Sequence, residues 1–212
     1  MIIDKLFYNS FIVIEAMNST KEKIKVTALQ LFLERGYSVG INEIIEKAGS
    51  SKGSFYHHFK SKEQLFVETV DRYFFSDLEQ LDFLDDIAMS FRAKVINLVK
   101  RRYIPFKAVN KFLPHQKMIN YLNVISEYPK HKELNEKSKI HFENFIGALE
   151  KIMVRAAEKG IIKKNFDIRT LCFQIGLLVD GSLVDAIIMH HSISKAEEGC
   201  LSAVNQLLDL LE

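Results

Sequence analysis

The sequence predicts an all-α protein, a small helix-turn-helix module followed by a larger helical domain. Three observations carry that prediction. Prolines occur only at Pro105, Pro114 and Pro129, so long stretches hold no helix breaker. Apolar residues recur at three- and four-residue steps, whereas alternating runs of strand type are scarce. Between about Thr20 and Leu65 lie short helical segments, two of them parted by the tight turn Gly49-Ser50-Ser51.

The first helix places Ile24, Ala28, Leu31 and Phe32 on one apolar stripe. Thr20 is suited to cap its start, and Gly36 to the positive-φ residue after its end. A second, short helix carries Ile41, Ile44, Ile45 and Ala48 on one face. After the glycine turn, Ser50 or Ser51 caps a third helix that offers Phe55 and Phe59 to the core. Ser61 with Gln64 three residues on has the form of a capping box and opens a fourth helix to about Phe75.

Beyond it the chain turns acidic (Asp77, Glu79, Asp82, Asp85, Asp86) and then basic (Lys94, Lys100, Arg101, Arg102, Lys107, Lys111, Lys117). Solvated helix faces are the expected reading of both runs, with DNA contact as the alternative for the basic one. Long helices are expected from about Lys137 to Glu158, from Asp167 to His190, and from Ser194, boxed with Glu197, to Leu211.

Composition narrows the function. A hydrophobic fraction of 48% is ample for a core, and a net charge of +2 is too small to argue nucleic-acid binding by itself. Cys172 and Cys200 are far apart, outside any CxxC pattern and inside apolar stretches, so they read as buried thiols in a reducing cytoplasm. The opening MIIDKLFYNSFIVIEA is too short to span a bilayer and is interrupted by Asp4, Lys5 and Glu15. An amphipathic helix, a surface anchor, or a start-site artefact with translation from Met17 are the three readings of residues 1–19. No nucleophile elbow, phosphate loop or dinucleotide fingerprint is present, and the adjacent pairs His57–His58 and His190–His191 lack the i, i+4 spacing a metal wants. Neither an enzyme nor a cofactor is expected.

The stretch TKEKIKVTALQLFLERGYSVGINEIIEKAGSSKGSFYHHFKSKEQLF resembles the DNA-binding domain of the TetR family of bacterial regulators. ALQLFLERGY, AGSSKGSFYHHF and SKEQL, in that order and spacing, carry the resemblance. It implies a two-domain homodimer that binds a palindromic operator and releases it when a small molecule enters the larger domain. The domains would be 20–66 and 67–212. Two residues depart from the pattern. Gly40 stands where the family often has a serine or threonine capping the second helix, and Ser50 where it usually has a small apolar residue.

A recognition helix must be slim where it enters a groove about 12 Å wide, and Ser51, Lys52, Gly53 and Ser54 supply that slimness. Tyr56 and His57 follow on the side away from Phe55 and Phe59, where both can reach phosphate and His57 also a base edge. Lys52 suits a phosphate or a guanine edge. Lys62 joins its charge to a helix N-terminus, and Thr20 with Lys23 could clasp the backbone similarly. From Thr20 to Gln64 there are eight Lys/Arg against five Glu, a modest positive excess. Each residue also has a plain use: Ser51 as a cap, Tyr56 in packing, Lys62 in solvent.

In the larger domain, Leu171, Cys172, Ile175, Leu178, Val179, Leu183 and Ile187 face one way on a helix that also carries Leu177, Val184 and Ile188. Such a helix must be buried on several sides, and Gly176 and Gly181 would admit close neighbours. The resemblance implies that it and the last helix form the homodimer interface. Phe106, Phe112, Met118, Tyr121, Phe142, Phe145 and Met153 are candidates to line an effector pocket, with His115, Asn144, Gln174 and Asp180 as polar anchors. Their character favours an apolar or aromatic effector. Two other readings stand beside this one: a DNA-binding regulator of the same fold without an effector, and a helical enzyme or lipid-binding module.

Overall fold

The structure is a computed structural model, and it describes residues 19–75, 81–113, 118–163, 166–189 and 191–211. Residues 1–16, His115, Lys117 and His190, which entered the sequence expectations, lie outside the described residues. Among the described residues there are ten α-helices and no strand. They are α1 (Thr20–Arg35), α2 (Ile41–Lys47), α3 (Lys52–His58), α4 (Lys62–Val70), α5 (Phe91–Arg101), α6 (Ile104–Phe112), α7 (Leu122–Ile125), α8 (Lys132–Glu158), α9 (Ile168–Ile188) and α10 (Ile193–Leu211). A five-residue π-turn, Asp71–Phe75, continues α4.

Two compact units share these helices. The first takes the described residues up to Phe74 together with Ala108–Asn135, and the second Phe75–Lys107 with Glu136–Glu212. This differs from the expected division after residue 66. Residues 67–74 and 108–135 pack with the helix-turn-helix because α1 has a second apolar side to cover. Leu29 and Leu33 are as fully buried as Ile24, Ala28 and Phe32. The sequence shows one stripe on α1, and the structure buries two.

Aromatic rings hold the first unit together. Phe32 and Phe66 meet edge to face at 5.0 Å, and Tyr37 packs on Phe66 at the same distance. An ionic cluster then pins α1 to α4. Lys21 lies 2.9 Å from Glu68, and Lys25, almost wholly buried, sits 3.4 Å from Glu68 and 3.5 Å from Glu22. Partial burial works against the Glu68 charge. Hydrogen bonds from Lys21 and Gln64, with the charges of Lys25 and Lys21, outweigh it and hold this carboxyl below the usual glutamate range.

Several helix starts differ from expectation in ways the hydrogen bonds explain. Ser19, not Thr20, is the N-cap of α1, with its carbonyl accepting from Lys23 N at 3.0 Å and no side-chain cap. α8 begins at Lys132 rather than Lys137, directly after the single turn Tyr128–Lys130. α10 is capped by Ser192, whose hydroxyl accepts from Lys195 N at 3.2 Å, while Glu197 bonds Lys107 instead of closing a box. The box at Ser61 does form, in shifted register. Its hydroxyl accepts from Gln64 N at 3.1 Å, and Gln64 reaches back to Lys60 N at 2.7 Å.

In the second unit α9 is packed on one side only. Leu171, Cys172, Ile175, Val179 and Ile187 are buried, and Gly176 lies so close to α8 that a Cβ there would meet Ile146 at 3.0 Å and Phe142 at 3.2 Å. By length and composition α9 could cross a membrane, and 44% of its apolar window is buried within the fold. The thiols of Cys172 and Cys200 are free and buried, and burial pushes that of Cys172 up to about 12.

The Glu68 cluster predicts a pH signature. A carboxyl whose folded value is depressed stabilises the fold above its unfolded value, and that contribution is lost as pH falls through the folded one. Glu68→Gln should cost about 1 kcal/mol at neutral pH, a gap that closes below about pH 4. Thermal melts of both proteins across that range measure it. A gap that does not shrink in acid would remove the ionic cluster as its cause.

Candidate nucleic-acid interface

The turn ahead of α3 is made by Gly49, whose φ of 60° lies in the region that favours glycine. Ser51 then caps α3, its hydroxyl accepting from Ser54 N at 3.1 Å. Seven residues with one glycine make a poor helix alone, so packing must hold α3 in place. Phe55 and Phe59 do so, 0% and 1% exposed, with rings 5.6 Å apart.

Burying those two rings turns the rest of α3 outward. Ser51, Lys52, Gly53, Tyr56 and His57 are exposed and Ser54 is half-buried. Tyr56 shows 57% of its surface, its ring leaning edge-on against Phe55 at 5.2 Å. The leading end is as slim as the sequence suggests. A Cβ at Gly53 would touch only Ser51 Oγ, at 3.9 Å, so nothing inside the protein demands glycine there. Thr20 and Lys23 are also exposed, at the start of α1.

Lys62 has a competing use. Its ammonium donates to the carbonyl of Tyr37 at 2.8 Å and that of Val39 at 3.3 Å, and lies 4.2 Å over the Tyr37 ring. The charge expected to meet a phosphate instead braces the loop between α1 and α2. The two departures from the family pattern have visible effects. Gly40 leaves α2 without a side-chain cap, and the Ser50 hydroxyl is buried without a hydrogen-bond partner.

Two braces escaped the sequence reading. Asn123 Nδ2 donates to Leu33 O at 2.6 Å, satisfying one of the carbonyls that the last turn of α1 leaves open. His131 sits against Glu63, Tyr37 and Phe66. Partners 90 and 68 residues apart leave no local signal.

The residues expected around an effector do not form one group. Tyr121 is fully buried in the first unit, where its hydroxyl donates to Asn110 at 2.8 Å. The side chains of Phe112 and Met118, like all of His115, are outside the described residues. Gln174 is exposed on α9. In the second unit, Phe106 is half-buried, Phe142 packs edge-on to Phe173, Met153 is buried, and Phe145 lies under the Arg102 guanidinium.

Arg102 also bonds Asp180 at 2.7 Å, so the acid in an apolar helix has a partner. Beside them Tyr103 shares a hydrogen bond with Ser182 at 2.5 Å. Burial, with the charge of Arg102, pushes His141 down to about 3, so it is neutral at physiological pH. Part of the basic run is spent inside this unit: Lys94 donates to Leu84 O at 2.7 Å, Arg102 to Asp180, and Lys107 to Glu197. Among the described residues no cluster of His, Cys, Asp and Glu could hold a metal.

A glycine-turned pair of short helices, the second slim, exposed and backed by two phenylalanines, has the helix-turn-helix plan. Residues 24–69 match the bacterial regulatory proteins of the tetR family. The transcriptional repressor NemR of Escherichia coli (strain K12) is 40% identical over 58 residues, which are 27% of this chain and 29% of NemR. The regulator YerO of Bacillus subtilis (strain 168) is 45% identical over 58 residues, only 20% of its length. The chain thus aligns with less than a third of these relatives. A longer alignment joins it to the repressor DhaR of Mycobacterium sp. (strain GP1), 28% identical over 71% of this chain and 73% of DhaR. The reduced-form crystal structure of E. coli NemR superposes with a TM-score of 0.65, covering 92% of this chain and 98% of that one; at 20% identity this likeness speaks for the fold alone.

Residues 24–69 are thus similar to the DNA-binding domain of the tetR family of bacterial regulatory proteins.

The cap on α3 is open to direct test. Ser51→Ala should destabilise the protein by about 1 kcal/mol, read from the urea midpoint at unchanged slope. An unchanged midpoint would mean that the Ser51 hydroxyl does not hold the helix start.

Proposed function

We propose that the chain is a transcriptional repressor that grips a palindromic operator as a homodimer and lets it go when a small molecule enters the second unit. The observation that carries the reading is the exposed face of α3, where Lys52, Tyr56 and His57 stand opposite the buried Phe55 and Phe59. Lys52 and His57 reach phosphate or a base edge, Tyr56 reaches phosphate, and Ser51, Gly53 and Ser54 keep the helix slim enough to enter the major groove. Thr20 and Lys23 add backbone contacts. Lys62, occupied by the α1–α2 loop, is left out of this set.

The dimer reading rests on α9. Phe173, Leu177, Val184 and Ile188 are each about half exposed, and their spacing sets them in one stripe. Gly181 lies in open space, which permits a second helix to approach. Monomeric proteins rarely leave so continuous an apolar row in water. The exposed side of α10 is more polar (Lys195, Glu198, Ser202, Gln206, Asp209), with Leu210 its exposed apolar residue. α9 therefore supplies most of the interface.

A dimer can hold two α3 helices at the spacing of successive major grooves, about 34–36 Å. An effector that prefers another spacing frees one half-site, and its leverage is limited to its difference in affinity between the two forms. The second unit offers Phe106, Phe142, Phe145 and Met153 for an apolar or aromatic ligand, with Arg102, Asp180 and neutral His141 as polar neighbours. Such a regulator works in the cytoplasm, where its operator is.

Two experiments test the reading. In gel shifts with the DNA upstream of its own gene, Lys52→Ala and Tyr56→Ala should each weaken specific binding about tenfold or more at fixed salt. The absence of any sequence-specific shift for the wild type would overturn the repressor assignment. In sedimentation, Leu177→Glu should turn a dimer into a monomer that keeps its helical circular dichroism. A wild type that sediments as a monomer would remove the α9 interface.

A further inference from the structure

Arg102 follows directly on α5 in the second unit. Its side chain is 15% exposed, whereas that of its partner Asp180 is 40% exposed, so the cation lies deeper than the anion that balances it. The guanidinium stands 5.5 Å from the ring centroid of the buried Phe145. One hydrogen bond joins the pair, from Arg102 Nη2 to Asp180 Oδ1 at 2.7 Å. Arg102 Nε is buried with no hydrogen-bond partner.

Nε–H and one N–H of Nη2 point the same way along one edge of a guanidinium, the edge that matches the two oxygens of a carboxylate. Asp180 fills half of that edge. The Nε donor has lost its water without gaining an acceptor, a cost that a second carboxylate oxygen would remove.

The neighbouring polar groups are occupied or uncharged. Ser182 donates to Val179 O at 2.7 Å, so in its bond with Tyr103 the phenol is the donor. Lys107 bonds Glu197, the carboxylate whose charge also acts on Tyr103. His141 is neutral at physiological pH, because burial, and after it the charge of Arg102, disfavours its cation. Rings on α8 supply an apolar wall: Phe145 under the guanidinium, and Phe142, packed edge-on to Phe173.

We propose that the effector is an apolar monocarboxylate, aromatic or aliphatic, whose carboxylate takes the Nε–Nη2 edge of Arg102 in place of Asp180. The exchange keeps one anion against one cation and gives the guanidinium two parallel hydrogen bonds where it has one. A neutral ligand of the same shape gains nothing from Arg102 beyond a single weaker bond. Asp180 then loses its partner. It lies three residues after Leu177 and four before Val184, beside the exposed apolar row of α9. This rests on reading the second unit as the effector site, and binding there then acts on the helix to which that reading gives the dimer interface.

Calorimetric titration of the full-length protein without DNA tests it, with phenylacetate, phenylbutyrate and octanoate each set beside its own amide. At least one carboxylate should bind the wild type about tenfold or more tightly than its amide. Arg102→Gln should abolish that preference. Asp180→Asn, which keeps an oxygen but removes the competing charge, should raise the carboxylate affinity about threefold and leave that of the amide unchanged. Both variants break the same ion pair, so the opposite signs separate ligand binding from loss of structure. Should either variant not fold, Arg102→Lys decides, because it keeps the charge without the fork and should lose most of the preference. Three results each overturn the proposal: no carboxylate preferred over its amide by the wild type, a preference that survives in Arg102→Gln or in full in Arg102→Lys, or a folded Asp180→Asn that binds the carboxylate no more tightly. A carboxylate site with these signatures in a protein that gives no sequence-specific gel shift would overturn the repressor reading alone.

Discussion

The burial of Phe55 and Phe59 is the interaction on which the reading surface depends. α3 is seven residues long and contains Gly53 and Ser54, so its own backbone hydrogen bonds do not sustain a helix in water. The two rings bury completely, the Ser51 hydroxyl closes the helix start, and Gly49 sets the angle of entry. With the apolar side used up in this way, the polar side of so short a helix has only one direction left, toward solvent. The orientation of Lys52, Tyr56 and His57 is thus a result of packing, not of any contact these residues make themselves.

What was legible in the sequence was what is local. The stripe on α1, the glycine turn, the caps at Ser51 and Ser61 and the paired phenylalanines each lie within a few residues, and each appears in the structure. Contacts made across the chain were not legible. Lys62 looked like a phosphate ligand because its partners, the carbonyls of Tyr37 and Val39, carry no side-chain signature. Leu29 and Leu33 lie off the stripe that the sequence shows, and the segment that covers Leu33, around Asn123, follows 90 residues later. An acid in an apolar helix announces that Asp180 needs a partner, but nothing in the sequence points to Arg102, 78 residues away.

The two glycines of α9 show why residue type alone is an incomplete guide. Gly176 is filled against by Phe142 and Ile146 and could not accept a Cβ without displacing them. Gly181, five residues on, has no neighbour within 4 Å. One serves the core of its own unit. The other lies among the exposed apolar residues and has a use only when something else is there.

The π-turn at Asp71–Phe75 has a different kind of consequence. Each π-type ring encloses one residue more than an α-type ring, which shifts the angular position of everything that follows. Phe74 and Phe75, neighbours in sequence, consequently serve two separate cores: Phe74 meets Tyr121 edge-on in the first unit, and Phe75 meets His141 in the second. Losing a single residue between Asp71 and Tyr73 would slide each phenylalanine into its neighbour's place and leave one core a ring short. The length of this segment therefore matters as much as the identity of its two phenylalanines.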